Sequence, residues 1–504
     1  MLTMHGSRTR LALPIVAVVV ALSATGCGTD RAEERAAPTE PAEATAAAAE
    51  PVVQPPASPA EMLRGFHEEF EGSYPLEAPP STGVKDWSIT AAPTEVEIFD
   101  GRTMQVWSYN GQVPGPTLRL TLGQTVRVRL KNELPMPTTI HWHGVRVPND
   151  MDGVPEVTQP PVQPGETFVY EFTPKDAGTF WFHPHVRSME QVERGLYGLL
   201  IVEDAEPLPY SREVVWVLDD WRLTGDGTQI DPNFATRSDL AHDGRWGNVI
   251  AINGRLNPTV DVRPGERIRL RMLNSANGRV FVPDLWRLDA KLIAVDGMFF
   301  ARPYNPRRFE LAPGNRLDFD ITFKPEDAGR VIPVFDRWAR KPNKLAVIRV
   351  LDEVVPTPDF PVPTASRVPH WAGAETLDPT LEYVLNARTG GPMGVQWTLN
   401  DIAYSPHNRR DTLYYDEWAK IRFTNLSSRI HPMHMHGVFF KLLSRNGRPM
   451  DERFWRDTVL THPRETVEIG LIPWDEGAWM LHCHILEHAA AGMMTIVEVE
   501  RRQP

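Results

Sequence analysis

The chain repeats one strand pattern three times, and this repeat restricts the possible folds more than any other feature of the sequence. Each copy begins with an Asn that follows an apolar residue, at Asn110, Asn253 and Asn400, so the landmark recurs at intervals of 143 and 147 residues. An alternating strand ending in Asn follows in each copy, as VRVRLKN, IRLRMLN and AKIRFTN, which end at Asn132, Asn274 and Asn425. Alternation of this kind gives a strand one buried side and one solvent-facing side.

A third landmark completes the repeat, because each copy also has a strand-like run that ends in Gly, at Gly178, Gly329 and Gly477. Short alternating strands between turns of Pro, Gly and Asn are typical of β-sandwich domains. A chain of 504 residues has room for about three domains of ordinary size. The sequence therefore predicts an all-β protein with sandwich domains at about 84–206, 207–352 and 365–504, the last two joined by a proline-rich linker.

The first 27 residues resemble a bacterial lipoprotein signal. Arg8 and Arg10 precede a short apolar run, and Ala-Thr-Gly-Cys follows, ending at Cys27. The expectation is an exported protein, anchored outside the cytoplasmic membrane by a lipid on Cys27. An ordinary cleaved signal with an incidental cysteine is the alternative. Residues 28–83 begin with an Ala/Pro/Glu-rich stretch that has little apolar periodicity, which predicts an extended tether.

Charge and cysteine content exclude two further classes of protein. The formal net charge of −12 argues against nucleic-acid binding, which needs a basic face. The chain has only two cysteines, Cys27 and Cys483, so no disulfide framework can be built.

The histidines are strongly clustered. Ten of the 16 lie in four short groups: His141 and His143; His183 and His185; His431, His434 and His436; His482, His484 and His488. Residues i and i+2 of a strand project from the same face, so each His-X-His pair offers two imidazoles to one side. In His482-Cys483-His484 the cysteine points to the opposite side. One strand can therefore serve two metal sites and connect them covalently.

The repeat alignment places the pairs at equivalent positions in the first and third segments. His141 and His143 lie nine and eleven residues after the strand-ending Asn, as do His434 and His436. The pairs His183/His185 and His482/His484 lie five and seven residues after the run-ending Gly. We therefore expect four histidines from each segment to face each other across an interface. The middle segment has Pro283, Leu285, Val334 and Asp336 at these offsets, which predicts a spacer.

The third segment alone adds His431, Cys483, His488 and Met493. Two imidazoles, a thiolate and a weak thioether are the ligands of a blue-copper electron-transfer site. Zinc also accepts nitrogen and sulfur ligands. Eight further histidines beside a Cys/Met site favour redox-active copper, which binds imidazole-rich sites most tightly.

The motifs HWHG, HPH, HPMHMHG and HCHILEHAAAGMM stand in the order and spacing of the three-domain multicopper oxidases, a family that includes laccases, bacterial spore-coat and copper-efflux oxidases and bilirubin oxidases. The chain resembles this family over residues 84–504. The resemblance implies three cupredoxin-like Greek-key domains and four copper ions. The implied ligands are His431, Cys483, His488 and Met493 for type 1; His141 and His434 for type 2; and His143, His183 and His484 with His185, His436 and His482 for the two type 3 ions.

The resemblance also implies a role for Asp152, which matches an acidic residue that the family places near the type 2 copper for proton delivery. Related bacterial enzymes often carry Glu after the position of His488, whereas this chain has Ala489. A second proton donor is therefore missing at that point.

The expected activity is laccase-like: one-electron oxidation of phenols or aromatic amines, coupled to four-electron reduction of O₂ to water, with Cys483 carrying the electrons. An oxidase of Cu(I), Mn(II) or Fe(II) and a non-catalytic copper-sequestering lipoprotein are the alternatives. Copper-efflux members carry a methionine-rich insert, but residues 353–397 contain only Met393. The expected partners are O₂ and a small reducing substrate, and a monomer is expected.

Overall fold

β-Strands make up most of the regular structure, as the repeat predicts. The computed structural model describes residues 78–503, apart from 100, 205–206, 360–377, 407–409, 451 and 453. All described residues belong to one unit, Pro56–Pro504. The predicted signal at 1–27, its lipidation site Cys27 and the tether up to residue 77 lie outside the described residues.

The strands follow one another in three segments. Those of the first segment are β1 (Val84–Ile98), β2 (Arg102–Tyr109), β3 (Leu118–Thr121), β4 (Thr125–Asn132), β5 (His141–His143), β6 (Thr167–Phe172), β7 (Gly178–His183) and β8 (Gly198–Glu203). Those of the middle segment are β9 (Arg212–Trp221), β10 (Val249–Ile252), β11 (Thr259–Val262), β12 (Arg267–Asn274), β13 (Lys291–Val295), β14 (Met298–Tyr304), β15 (Arg316–Thr322), β16 (Val331–Asp336) and β17 (Asn343–Val350). Those of the third segment are β18 (Leu381–Thr389), β19 (Val395–Leu399), β20 (Arg410–Tyr414), β21 (Ala419–Asn425), β22 (His431–Met435), β23 (Lys441–Arg445), β24 (Arg448–Pro449), β25 (Thr458–Thr461), β26 (Thr466–Leu471), β27 (Gly477–Cys483) and β28 (Met494–Glu500).

Each segment forms two sheets, and the strand orders of the three segments correspond. The orders are β2-β1-β4-β6 with β3-β8-β7-β5, β10-β9-β12-β15-β13-β14 with β11-β17-β16, and β19-β18-β21-β26-β23-β24 with β20-β28-β27-β22-β25. One sheet of each segment contains an equivalent parallel pair, β1–β4, β9–β12 or β18–β21. Strands that are neighbours in space but not in sequence require crossover connections, as in Greek-key sandwiches.

The core of each segment lies between its two sheets, which makes each pair of sheets a sandwich. Buried side chains from both sheets share one hydrophobic cluster in every segment, for example Val128 with Phe182, Leu270 with Ile348, and Phe423 with Leu481. Each large apolar side chain buried in this way contributes about 1.5–3 kcal/mol.

The repeated Asn at the start of each copy has a backbone role. Asn110, Asn253 and Asn400 all adopt a left-handed backbone, with φ of 55°, 52° and 54°. Asn tolerates this conformation better than most residues. Each side-chain oxygen accepts an N–H of the neighbouring strand, from Thr90, Val217 and Val384 at 2.7, 2.8 and 2.7 Å. The repeat landmark therefore marks a tight turn that is anchored to the sheet.

The strand-ending Asn is fully buried in each segment. Each of these side chains accepts the backbone N–H two residues later and donates to two carbonyls of the following loops: Met136 and Val162 for Asn132, Arg279 and Leu311 for Asn274, and Arg429 and His462 for Asn425. The same amide thus satisfies the backbone of the loop after the strand in all three segments, and in the first and third segments that loop leads to a histidine pair.

The α-helices of the described residues are short: α1 (Ser188–Gln191), α2 (Arg237–Ala241) and α3 (Leu486–Ala490). None of the helices described is long and apolar enough to cross a membrane. Helix α2 lies in a long connection between β9 and β10, residues 222–248, which we name the insert. The equivalent connections in the first and third segments are only 99–101 and 390–394.

Candidate metal centre

Four strands carry the histidine pairs, and the sheets set these strands side by side. β5 pairs with β7, which places His141 opposite His183. β22 pairs with β27, which places His434 opposite His482. Residues directly opposite each other in antiparallel strands project from the same face. Each sheet therefore presents a patch of imidazoles.

The patches of the first and third segments meet and form one cluster of eight histidines. The rings of His141 and His436 stack with centroids 3.7 Å apart and planes 19° apart. Those of His143 and His434 stack at 3.8 Å and 8°. The eight-histidine cluster consists of His141, His143, His183, His185, His434, His436, His482 and His484, all buried except His185, which is half-buried. The structure thus brings together all eight histidines that the repeat alignment paired.

The hydrogen bonds of the cluster turn one nitrogen of most rings outward and leave the other facing its neighbours. The Nδ1 atoms that meet carbonyl oxygens are those of His141 (Asp152, 2.9 Å), His183 (Pro184, 3.2 Å), His434 (Asp457, 2.8 Å) and His482 (Cys483, 2.9 Å). The buried nitrogens without a partner among the described residues are Nε2 of His141, His183, His185, His434 and His484, and Nδ1 of His143 and His484. So many unpartnered buried nitrogens would be costly in a protein that binds no ion here.

Burial also keeps these imidazoles neutral, which leaves a lone pair on each ring. It lowers the pKa of His143, His183, His185, His434, His436 and His484 below the ordinary value, and that of His482 to about 3. In most of these rings the neighbouring imidazoles reinforce the effect of burial on the pKa. A compact group of neutral imidazoles can bind metal ions.

A second group of ligand-type side chains lies on the other side of β27. Cys483 Sγ is 3.6 Å from His431 Nδ1 and 3.7 Å from His488 Nδ1, and the two Nδ1 atoms are 3.1 Å apart. The outer nitrogens are occupied, because His431 Nε2 contacts Ser427 Oγ at 2.9 Å and His488 Nε2 contacts the His242 carbonyl at 2.6 Å. Both rings therefore turn Nδ1 towards the thiol.

Cys483 and Met493 are both fully buried in the core of the third segment. The Met493 backbone is fixed beside the group, since its N–H donates to His488 O and its carbonyl accepts from Cys483 N, each at 3.0 Å. Burial raises the pKa of the Cys483 thiol above its ordinary value. A thiolate at this depth would need a cation beside it, and a bound metal ion supplies one. We name His431, Cys483, His488 and Met493 the Cys483 group.

Asp152 contacts two members of the eight-histidine cluster. Its carboxylate oxygens lie 2.8 Å from His436 Nδ1 and 3.1 Å from His141 Nδ1. Gly153 allows this close approach, because a Cβ at Gly153, where φ is +82°, would lie 1.8 Å from the Ile140 carbonyl oxygen. Asp152 is thus held against one histidine of the first segment and one of the third.

Sequence reasoning missed four contributions to the site, from Asp457, Arg316, Gly314 and the insert, whose His242 carbonyl contacts His488. Asp457 lies 3.1 Å from His143 Nε2. Arg316 binds Asp457, and a Cβ on Gly314 would lie 2.9 Å from the rings of His143 and His484. Arg316, Gly314 and the insert belong to the middle segment, which has no histidine at the ligand offsets but does more than separate the other two. No local spacing signals these residues, because their partners come from other segments.

Comparison with known proteins agrees with this geometry. Family models described as multicopper oxidase match residues 90–207, 212–334 and 376–503. The chain belongs to the multicopper oxidase family. It is therefore a copper-dependent oxidoreductase that couples oxidation of a reducing substrate to the reduction of O₂.

Individual members of the family match most of the chain. Multicopper oxidase MmcO of Mycobacterium tuberculosis is 30% identical, over 81% of this chain and 86% of its own length. A multicopper oxidase structure from Pseudomonas thermotolerans has a TM-score of 0.73 and 32% identity, covering 82% of this chain and 99% of that one. A laccase structure from Pediococcus acidilactici has a TM-score of 0.70 and 28% identity, covering 85% and 94%. The three sandwiches are thus cupredoxin-like, as the resemblance implied.

The donor atoms fit the cofactor of this family. Neutral imidazole nitrogens with a thiol and a thioether are ligands that copper accepts. Most inward nitrogens of the cluster lack a partner among the described residues, and in six of the eight rings the outer nitrogen is oriented by an oxygen atom, as is usual for metal-binding histidines. Bound copper would supply the one-electron redox chemistry and the site of O₂ reduction.

Proposed function

We propose that the chain holds four copper ions and oxidises phenols or aromatic amines in a laccase-like reaction that reduces O₂ to water. The Cys483 group would hold the type 1 ion. His141 and His434 would hold the type 2 ion, and the two type 3 ions would take His143, His183 and His484, and His185, His436 and His482. Ring nitrogens that lie close to one another within a set support this assignment, as in the trio His185, His436 and His482.

The observation that carries the proposal is the run of three consecutive residues, His482, Cys483 and His484, at the end of β27. Cys483 contributes its sulfur to one group, while His482 and His484, its direct neighbours, belong to the eight-histidine cluster. The two groups are therefore joined through the backbone of three consecutive residues. Electrons taken up at the Cys483 group would reach the cluster through Cys483 and its neighbours. A copper-storage protein would not need this connection.

The proposed substrate class is tested by steady-state rates of the copper-loaded protein on a phenol, an aromatic amine, Cu(I), Fe(II) and Mn(II). We expect the organic substrates to be oxidised efficiently. The similarity to the laccase of Pediococcus acidilactici supports this class. Efficient turnover of metal ions alone would contradict it.

The insert supports a second candidate, an oxidase of metal ions. Its backbone covers His488, because the His242 carbonyl accepts the Nε2–H of that ring at 2.6 Å and Leu240 O accepts the Trp397 indole N–H at 2.6 Å. His488 is fully buried as a result. Direct contact of a bulky phenol with this ring would require the insert to open, which favours small ions. A small ion could instead give its electron at the surface of the insert, where His242 is exposed.

Replacing residues 222–248 by a short Asn-Gly turn should therefore change the substrate preference. β9 and β10 remain paired at Trp221 and Val249, so a tight hairpin can close there. In the wild-type protein, bulky phenols would reach His488 only in a minor open state, populated to about a few per cent. Without the insert, kcat/KM for these phenols should rise roughly 10- to 100-fold relative to kcat/KM for Fe(II). Steady-state kinetics measures the ratio, and Asp226→Asn, an exposed change in the same insert, is the matched control. An unchanged ratio would mean that the insert does not control access.

We propose further that the protein is exported, anchored by a lipid on Cys27, and monomeric. The signal-like first 27 residues support export and anchoring. Cys27→Ser should move the protein from the membrane fraction to the soluble fraction or stall its processing, which fractionation and mass spectrometry of the N-terminus measure. Soluble wild-type protein cut at another position would refute the lipid anchor. Light scattering of the protein released from the membrane tests the monomer.

A further inference from the structure

Arg316 is a fully buried cation of the middle segment that lies beside the eight-histidine cluster. Its guanidinium donates to both carboxylate oxygens of Asp457, at 3.0 and 2.6 Å. Its other N–H groups donate to the carbonyls of Thr179, Gly314 and Asp296, at 2.9 to 3.0 Å. All five donors of the guanidinium are therefore used, and the side chain has one possible orientation.

Asp457 contacts one histidine from each of the two outer segments. Its carboxylate accepts the Nε2–H of His143 at 3.1 Å, and its backbone carbonyl accepts the Nδ1–H of His434 at 2.8 Å. Both carboxylate oxygens also accept N–H groups of the Arg316 guanidinium, which is always charged. The ion pair thus holds Asp457 as an anion, which can only accept hydrogen bonds.

These hydrogen bonds determine where each imidazole carries its lone pair. A neutral imidazole that donates from one nitrogen has its lone pair on the other. The lone pairs therefore lie on Nδ1 of His143 and on Nε2 of His434, and both atoms lack a partner among the described residues. One aspartate selects opposite nitrogens in two stacked rings.

We infer that Arg316 and Asp457 are a positioning pair, which fixes the nitrogen that His143 and His434 each turn towards copper. The inference rests on the proposed function, because it takes both rings as copper ligands. A buried ion pair gives little net stability compared with apolar packing, so stability alone is a poor reason for its presence. The hydrogen bonds to the two rings give the pair a specific task.

Gly144, the last residue of the HWHG motif, supports this inference independently. A Cβ at Gly144 would lie 2.2 Å from Arg316 Nη2 and 2.5 Å from Asp457 Oδ2, and its φ of +80° also favours glycine. The turn that follows His143 therefore packs directly on the ion pair. Glycine at this position allows the turn to approach the ion pair this closely.

Two substitutions test the inference. Arg316→Lys keeps the positive charge but loses the planar set of donors, and Asp457→Asn keeps the shape but loses the negative charge. We expect copper to be held about 10- to 100-fold more weakly by the eight-histidine cluster in both variants, while the blue absorption of the Cys483 group per chain stays at the wild-type level. Copper content after dialysis against graded chelator, the electron paramagnetic resonance spectrum of the resting protein and its visible spectrum measure this.

Arg279→Lys is the matched control. Arg279 forms another buried ion pair of the middle segment, 2.7 Å from Asp220, and its hydrogen bonds reach no member of the eight-histidine cluster. The control should keep its copper and its resonance spectrum even where its melting temperature falls.

Full copper content and an unchanged resonance spectrum in both test variants would overturn the inference. The inference would also be overturned if the test variants lost cluster copper and blue absorption equally and melted no higher than the control. Such variants would be generally destabilised. If Asp457→Asn does not fold, Arg316→Lys decides alone. Wild-type protein that binds a single copper ion would contradict the proposed function itself, and this is measured before any substitution is made.

Discussion

Cys483→Ser should remove the intense visible absorption of the oxidised protein and reduce turnover at least about 1000-fold. Cys483 is the only cysteine among the described residues, and its sulfur lies within 3.7 Å of both ring nitrogens of its group. A serine hydroxyl is a poor substitute for a thiolate, both as a ligand of blue copper and in carrying electrons into β27. Absorption spectroscopy and oxygen-consumption assays of copper-loaded protein measure the two losses.

Met480→Leu is the control for this variant. Met480 is buried on the same strand, three residues before Cys483, and exchange of Met for Leu conserves volume. The control should retain both colour and activity. A Cys483→Ser protein that keeps the blue absorption and turns over would sink the assignment of the Cys483 group.

Asp152→Asn should slow reoxidation of the reduced protein by O₂, by roughly 10- to 100-fold. The proposed role of Asp152 is to hold His436 and His141 and to assist proton delivery during O₂ reduction. Its oxygens lie 2.8 and 3.1 Å from their Nδ1 atoms. Oδ2 accepts the His436 N–H, while His141 Nδ1 bonds the Asp152 backbone carbonyl and lies beside Oδ1. An amide has one acceptor oxygen and would place its NH₂ group against one of these two nitrogens. Reduction of the Cys483 group by substrate should be nearly unchanged, because Asp152 touches no member of that group in the described structure.

Stopped-flow spectroscopy separates these two half-reactions. Asp150→Asn is the matched control, since Asp150 is exposed in the same loop. If Asp152→Asn is reoxidised as fast as wild type and the control, Asp152 only stabilises a turn and the protons take another route.

The fold and the strands that bear the candidate ligands can be predicted from local patterns in the sequence. Equivalents of Asn110 and Asn132 occur in every copy because each side chain binds the backbone of one turn or one strand end. Their spacing in the chain is therefore enough to reveal them. The His-X-His pairs are equally local, because alternation along a strand decides which side chains share a face. The motifs that resemble the multicopper oxidases also lie within short stretches of chain.

Contacts between segments could not be predicted in this way. Arg316 and Asp457 are 141 residues apart, and His242 and His488 are 246 apart. An arginine in a strand or a histidine after a short helix is most often a surface residue. Only the packing of the middle segment against the other two gives them a role, and no periodicity in the chain encodes that packing.

The two stacked imidazole pairs have a further consequence for the stability of the molecule. Each pair joins rings that are about 290 residues apart in the chain, and an ion that takes ligands from both outer segments, as the proposed type 2 ion does from His141 and His434, closes a very long loop. The ion binds the folded chain rather than the unfolded one, because only folding brings these distant histidines together. Copper binding and the joining of the first and third segments are then one linked equilibrium, in which free copper at a hundred times its dissociation constant adds about 2.7 kcal/mol per site to the stability of the folded protein.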